Sequence, residues 1–123
     1  MVNNLVGANN IGNGAKADAA TQKIHFGRAT VEEYTGWPAT VTKACTHAVV
    51  TVSTAAANFS INAQAVPTNA NGVRFIVRKS GSTNGITCLY QAVTYRTNVA
   101  TGSFLEVIHD GTKWIVIGVG EAW

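Results

Sequence analysis

The stretch "GSFLEVIHDGTKWIVIGVG", residues 102–120, decides how the whole chain is read. Successive side chains of an extended chain point to opposite faces, so Phe104, Glu106 and Ile108 fall on one side and Leu105, Val107 and His109 on the other. Asp110-Gly111 supplies a pair suited to the positive φ angles of a tight hairpin turn. Beyond it, Trp114, Val116 and Gly118 share one face while Ile115, Ile117 and Val119 share the other. Neither face of this second strand is made for water. Two arrangements satisfy it: the strand lies at the centre of a packed sandwich, or another polypeptide finishes one of its faces.

The same alternation continues upstream. Leu89, Gln91, Val93 and Tyr95 alternate with Tyr90, Ala92, Thr94 and Arg96, and "SGSTNG", residues 80–85, separates them by turn chemistry from Val73, Phe75 and Val77, which oppose Arg74, Ile76 and Arg78. In "ANFSINAQA" Phe59, Ile61 and Ala63 face inward against Ser60, Asn62 and Gln64; in "THAVVTVST" Ala48, Val50 and Val52 oppose Val49, Thr51 and Ser53. "KIHFGRATVEEYTGWPATV", with Gly27, Gly36 and Pro38, reads as a short strand, a loop and a turn. Sustained helical spacing is missing apart from a turn or two in "KADAATQK". Short strands with turns every eight to twelve residues predict an all-β fold: a single antiparallel β-sandwich of jelly-roll type over 23–123, preceded by an extended N-terminal arm over 1–22.

A chain of 123 residues fits one domain with a real core. Charged residues are 12%, about half of the roughly 25% usual in globular domains, so Asn, Thr, Ser and Gln, or a partner protein, must cover the surface. The net charge of +3 is spread along the chain, with Arg74, Arg78 and Lys79 as the one tight basic group, best explained as a solvated strand face. Nucleic-acid binding asks for a dense basic patch, and no aromatic motif is interleaved with this one, so no nucleic-acid partner is expected. The longest apolar run falls short of the ~20 residues of a membrane helix, and the N-terminus lacks a secretory signal, so no membrane partner is expected and synthesis is placed in the cytoplasm.

Chemistry-bearing motifs are scarce. His25, His47 and His109 are the possible bases, each in or beside an expected strand where a structural role is commoner. No Gly-x-Ser-x-Gly elbow, phosphate-binding loop or His-Glu-x-x-His pair occurs. Glu32 and Glu33 would point in opposite directions on a strand, and "HDGT" offers one carboxylate where calcium wants several oxygens. Cys45 and Cys88 lack CxxC spacing; they read as two small buried apolar residues, or else as a disulfide. The expectation is a non-enzyme with no catalytic, metal or cofactor site. Tyr34, Trp37, Tyr90, Tyr95 and Trp114 are candidates for a sugar platform, with core or interface packing the simpler account of each ring.

What remains is attachment. The arm carries isolated apolar residues, Val2, Leu5, Val6 and Ile11, too few to order it alone. Laid along a neighbour and adding a strand to its sheet edge, it would anchor through those side chains. Trp123 ends the sequence as an exposed ring or a plug in another subunit, and Trp114, Ile115 and Ile117 are expected to pack in the core or an oligomer interface.

"FIVRKSGSTNGITCLYQ" followed by "GSFLEVIHDGTKWIVIG" resembles a β-module of bacteriophage virion proteins, in which a strand leads to a Gly/Ser/Asn turn and a later strand runs into an Asp-Gly-Thr-x-Trp hairpin. The matching positions are Phe75 to Lys79 and Asp110 to Trp114. In plan, one β-rich domain with an arm, the chain is similar to small capsid decoration, or cement, proteins. The resemblance implies a structural virion protein on the capsid surface, a homo-oligomer (trimer or dimer) that stabilises the shell by bridging subunits of the major capsid protein. The alternative it implies is a receptor- or carbohydrate-binding module of a tail fibre.

Overall fold

The computed structural model describes residues 28–121. Eight strands, β1 (Val31–Thr35), β2 (His47–Val52), β3 (Phe59–Ser60), β4 (Arg74–Lys79), β5 (Ile86–Tyr90), β6 (Val93–Arg96), β7 (Phe104–His109) and β8 (Trp114–Gly120), form two sheets. The larger has the order β1-β2-β4-β7-β8 and the smaller β3-β5-β6. No α-helix occurs among the described residues, and none there is long and apolar enough to cross a membrane. The expected all-β, two-sheet domain is what the chain forms. The arm over 1–22, with Val2, Leu5, Val6 and Ile11, lies outside the described residues, as do His25 and Trp123.

The inner faces are those the alternation selects. From the large sheet come Ala48, Val50 and Val52, then Phe75 and Val77, then Leu105 and Val107, and finally Trp114. Ile86 and Cys88 of β5 meet them from the small sheet, with Ile61 beside it. Each buried Val, Leu, Ile or Phe contributes roughly 1.5–3 kcal/mol gross. At one end the rings assemble: Phe75 and Trp114 meet edge to face at 5.3 Å, Trp37 lies 5.7 Å from each, and His109 sits 4.9 Å from Trp114. The Trp37 indole N–H donates to Ala65 O at 2.8 Å, so the polar atom of this half-buried ring has its partner. Cys45 and Cys88 are both buried and free.

Pairing departs from the wholly antiparallel jelly-roll order. β1–β2, β2–β4 and β3–β5 are parallel, while β4–β7, β5–β6 and β7–β8 are antiparallel. Alternation reports which face a residue takes and nothing about strand direction; the long connections over 36–46 and 53–73 supply the crossovers that parallel neighbours require. Other expectations are corrected in the same way. The strand at "ANFSINAQA" stops after Ser60 and turns into a 3₁₀ turn, Ile61–Ala63, which buries Ile61 and exposes Ala63. The run from Leu89 to Arg96 is broken by a two-residue hairpin at Gln91-Ala92, whose φ angles are 53° and 64°. Neither residue is the Gly or Asn that normally marks such a turn. At the last hairpin the loop spans four residues, with Asp110 N–H donating to Lys113 O, and Asp110 Oδ1 accepts from the Thr112 and Lys113 N–H groups.

Lys79 is the largest departure from the expected solvated basic face. It is 1% exposed, and its ammonium donates to the carbonyls of Gly81 and, at 2.6 Å, Val99. The parity of β4 demands this, because Lys79 shares a face with Phe75 and Val77. Two backbone oxygens replace the water the cation gives up, and they fasten two loops to the end of β4.

Candidate interaction surface

Both long connections send their apolar residues, Trp37, Val41, Ile61, Ala70 and Val73, into the core, so they run on the same side of the large sheet as the small sheet does. The opposite face of the large sheet has no layer over it among the described residues. Register fixes its contents. One cross-strand row reads Val31, His47, Arg74, Ile108, Ile115; the next reads Glu33, Val49, Ile76, Glu106, Gly118; the third reads Thr35, Thr51, Arg78, Phe104, Gly120. Val49, Ile76, Ile108, Ile115 and Phe104 are half-buried by their neighbours, with none of them in the core. Arg74 Nη1 lies 3.2 Å from Glu106 Oε2, and Arg78 Nε donates to Thr51 Oγ1 at 3.1 Å. The result is an apolar centre crossed by an ion pair and bordered by cations and hydroxyls. Phe104 covers Gly120: a Cβ added there would run into the ring.

β8 is an edge strand, which settles the question raised by its two apolar faces. Trp114 is core, and its contact partners leave it nothing to offer a neighbouring molecule. Ile115 stands on the uncovered sheet face opposite Ile108. A bulge between the Glu106 and Val107 pairings leaves Ile117 as the extra residue, 42% exposed, and Val119 beyond it is 46% exposed. Of the residues named from the sequence, Ile115 stands on this face and Ile117 at the bulge on its edge, while Val49, Ile76, Ile108 and Phe104, which share the face, were not named from the sequence as a contact surface. The signal for Phe104 and Ile108 was there, since both sides of the β7 segment carry apolar residues.

The far edge of the same sheet is built differently. On β1, Glu32 and Tyr34 turn toward the inner side, and the Glu32 carboxylate accepts from the Tyr34 hydroxyl, the Thr42 hydroxyl and, at 3.3 Å, the Thr42 N–H. The Thr42 and Tyr34 hydrogen bonds hold the Glu32 carboxyl below its usual range. Burial, then the bond to Glu32, pushes Tyr34 up to about 12.

Nucleophilic chemistry finds little support in these surroundings. Burial pushes the Cys45 thiol up and raises Cys88 to about 11, away from the thiolate that attack requires. His47 Nδ1 lies 2.9 Å from Thr46 Oγ1; His109 Nδ1 lies 3.0 Å from the Asn71 amide and accepts the Gly111 N–H at 3.1 Å. An open cleft of about 470 Å³ is lined by Lys43, Pro67, Asn69, Ala70 and Asn71, which bring amides and one ammonium without an acid or nucleophile. Among the described residues no three His, Cys, Asp or Glu side chains are grouped to hold a metal ion. No family model, curated protein or solved structure matches the chain.

Proposed function

We propose that this chain is a structural virion protein of a bacteriophage, seated on the capsid surface, where it decorates and stabilises the shell by bridging major capsid protein subunits. The observation that carries the reading is the uncovered face of the five-stranded sheet. Strands about 4.8 Å apart make this face ~19 Å wide between the axes of β1 and β8, and half-buried apolar side chains interleaved with charges, with no layer over them among the described residues, suit a protein contact. Val49, Ile76 and Ile108 supply apolar contact, while Arg74, Arg78 and Glu106, interleaved with them on the central strands, supply the charges that set register. The resemblance of Phe75 to Lys79 and Asp110 to Trp114 to phage virion modules names the setting. The reading is non-catalytic and needs no cofactor.

The competing reading is a receptor- or carbohydrate-binding module of a tail fibre. Tyr90 and Tyr95, half-buried with ring centroids 6.4 Å apart, are the one aromatic pair outside the core stack among the described residues, and they favour it. Quantitative mass spectrometry of purified particles separates the two: decoration expects a copy number comparable to the capsid protein, a tail fibre only a few copies per particle. Ile76→Glu, which places a charge at the centre of the face, should leave circular dichroism unchanged and lower occupancy of shells that lack the protein by at least tenfold. Undiminished occupancy, or glycan-array binding that is lost on Tyr95→Ala, overturns the decoration reading.

A further inference from the structure

We infer that the free edge of β8 is where two copies of this chain meet, strand against strand and antiparallel. The inference goes beyond the shell reading and does not depend on it. β8 pairs with β7 on one side and with no described strand on the other, which leaves a row of backbone N–H and C=O groups open to pairing.

Charge selects the occupant. From Trp114 to Gly120 the strand carries no charge, whereas Lys113, whose ammonium lies 2.9 Å from Asp110 Oδ2 in a solvent-exposed pair that a second carboxylate can share, precedes it and Glu121 follows it, both exposed. A second copy laid antiparallel brings each Lys113 to the partner's Glu121; a parallel copy would set Lys113 beside Lys113. The edge is therefore complementary to itself in the orientation a two-fold axis produces.

The side chains agree. Ile117 and Val119 are exposed at this edge. The bulge at Ile117 bends the strand and shortens the ladder on either side of it. A ladder this short, with two apolar side chains, falls below the ~1,200–2,000 Å² of a stable interface, so the dimer is weak, with a dissociation constant on the order of micromolar.

Sedimentation velocity on the full chain, across a concentration series spanning the micromolar range, tests this. Monomer should convert to dimer as concentration rises. Ile117→Lys should abolish the dimer and Glu121→Lys should weaken it several-fold, while Val31→Lys on the opposite edge leaves it intact. A photo-crosslinking residue at position 117 should capture the β8 peptide of a second copy. A chain that stays monomeric throughout, a dimer lost with Val31→Lys but kept with Ile117→Lys, or crosslinks that run to residues 1–27 instead of β8 would each overturn the inference.

Discussion

The two edges of the large sheet solve the same problem in opposite ways. β1 is five residues long, carries Glu32 and Glu33, and turns one of those carboxylates inward, where hydroxyls of Tyr34 and Thr42 hold it. An inward charge on an edge strand penalises any strand that would cover it. β8 is seven residues long and uncharged, its one irregularity is the bulge at Ile117, and it is fastened to the core by Trp114. The first edge is closed by a charge that must stay hydrated or hydrogen-bonded. The second is held from beneath and left open from outside. An edge can thus be stable without being protected, and which edge a fold protects shows where it tolerates company.

The comparison breaks most severely at Trp114. Trp114→Ala removes the ring that touches Trp37, Phe75 and His109, and should lower unfolding free energy in a denaturant titration by about 3–5 kcal/mol. A loss under ~1 kcal/mol would mean that β8 is not anchored through the core. A smaller loss separates the two glycines of the strand. Gly120→Ala drives a methyl into the Phe104 ring, which must swing aside on a face with no layer over it, and should cost about 1 kcal/mol, while Gly118→Ala should stay within ~0.5 kcal/mol of wild type. Equal effects at the two sites would remove the distinction between a glycine required by its own sheet and one that is not.

At β1 the comparison sharpens with pH. Tyr34 rises from an ordinary 10.0 to about 12, so the folded state favours its neutral form; that stability is fully present below pH 10 and is lost as pH climbs from 10 toward 12. Glu32 is shifted the other way, so its contribution is present above its ordinary 4.5 and is lost as pH falls below that value. Melting temperatures between pH 9 and 12 should therefore fall more steeply for wild type than for Tyr34→Phe. Parallel curves would remove the Glu32–Tyr34 pair from the account. The smallest effect is expected at the hairpin leading into β6. Ala92→Gly relieves a left-handed alanine, and should stabilise by up to ~1 kcal/mol in the same titration.

Parts of this molecule that depend on period two were legible from residues alone. The inward triplets Ala48, Val50, Val52 and Val73, Phe75, Val77 follow from alternation, and the absence of α-helix among the described residues follows from the same pattern. Strand direction was not legible, because a pleat looks the same from either end, and so the parallel β1–β2 and β2–β4 pairs emerge only from the fold. The Gln91-Ala92 turn was hidden because its residues carry no turn signature. Of the candidate surface, Ile115 and Ile117 were legible as apolar residues without an evident cover. The face uniting Val49, Ile76, Ile108 and Phe104 was not, since it depends on which strands are neighbours and on both crossovers choosing the other side.

Lys79 has a practical consequence. Lys43 and Lys113 are exposed amines, while the amine of Lys79 is sealed beneath the surface with two carbonyls on it. An acylating reagent that reaches the first two at once reaches the third only when the loops bearing Gly81 and Val99 lift away. Its labelling rate in the native protein is therefore a clock for that opening, read from a single peptide without any introduced probe, and the clock runs whether the molecule is free or held in an assembly.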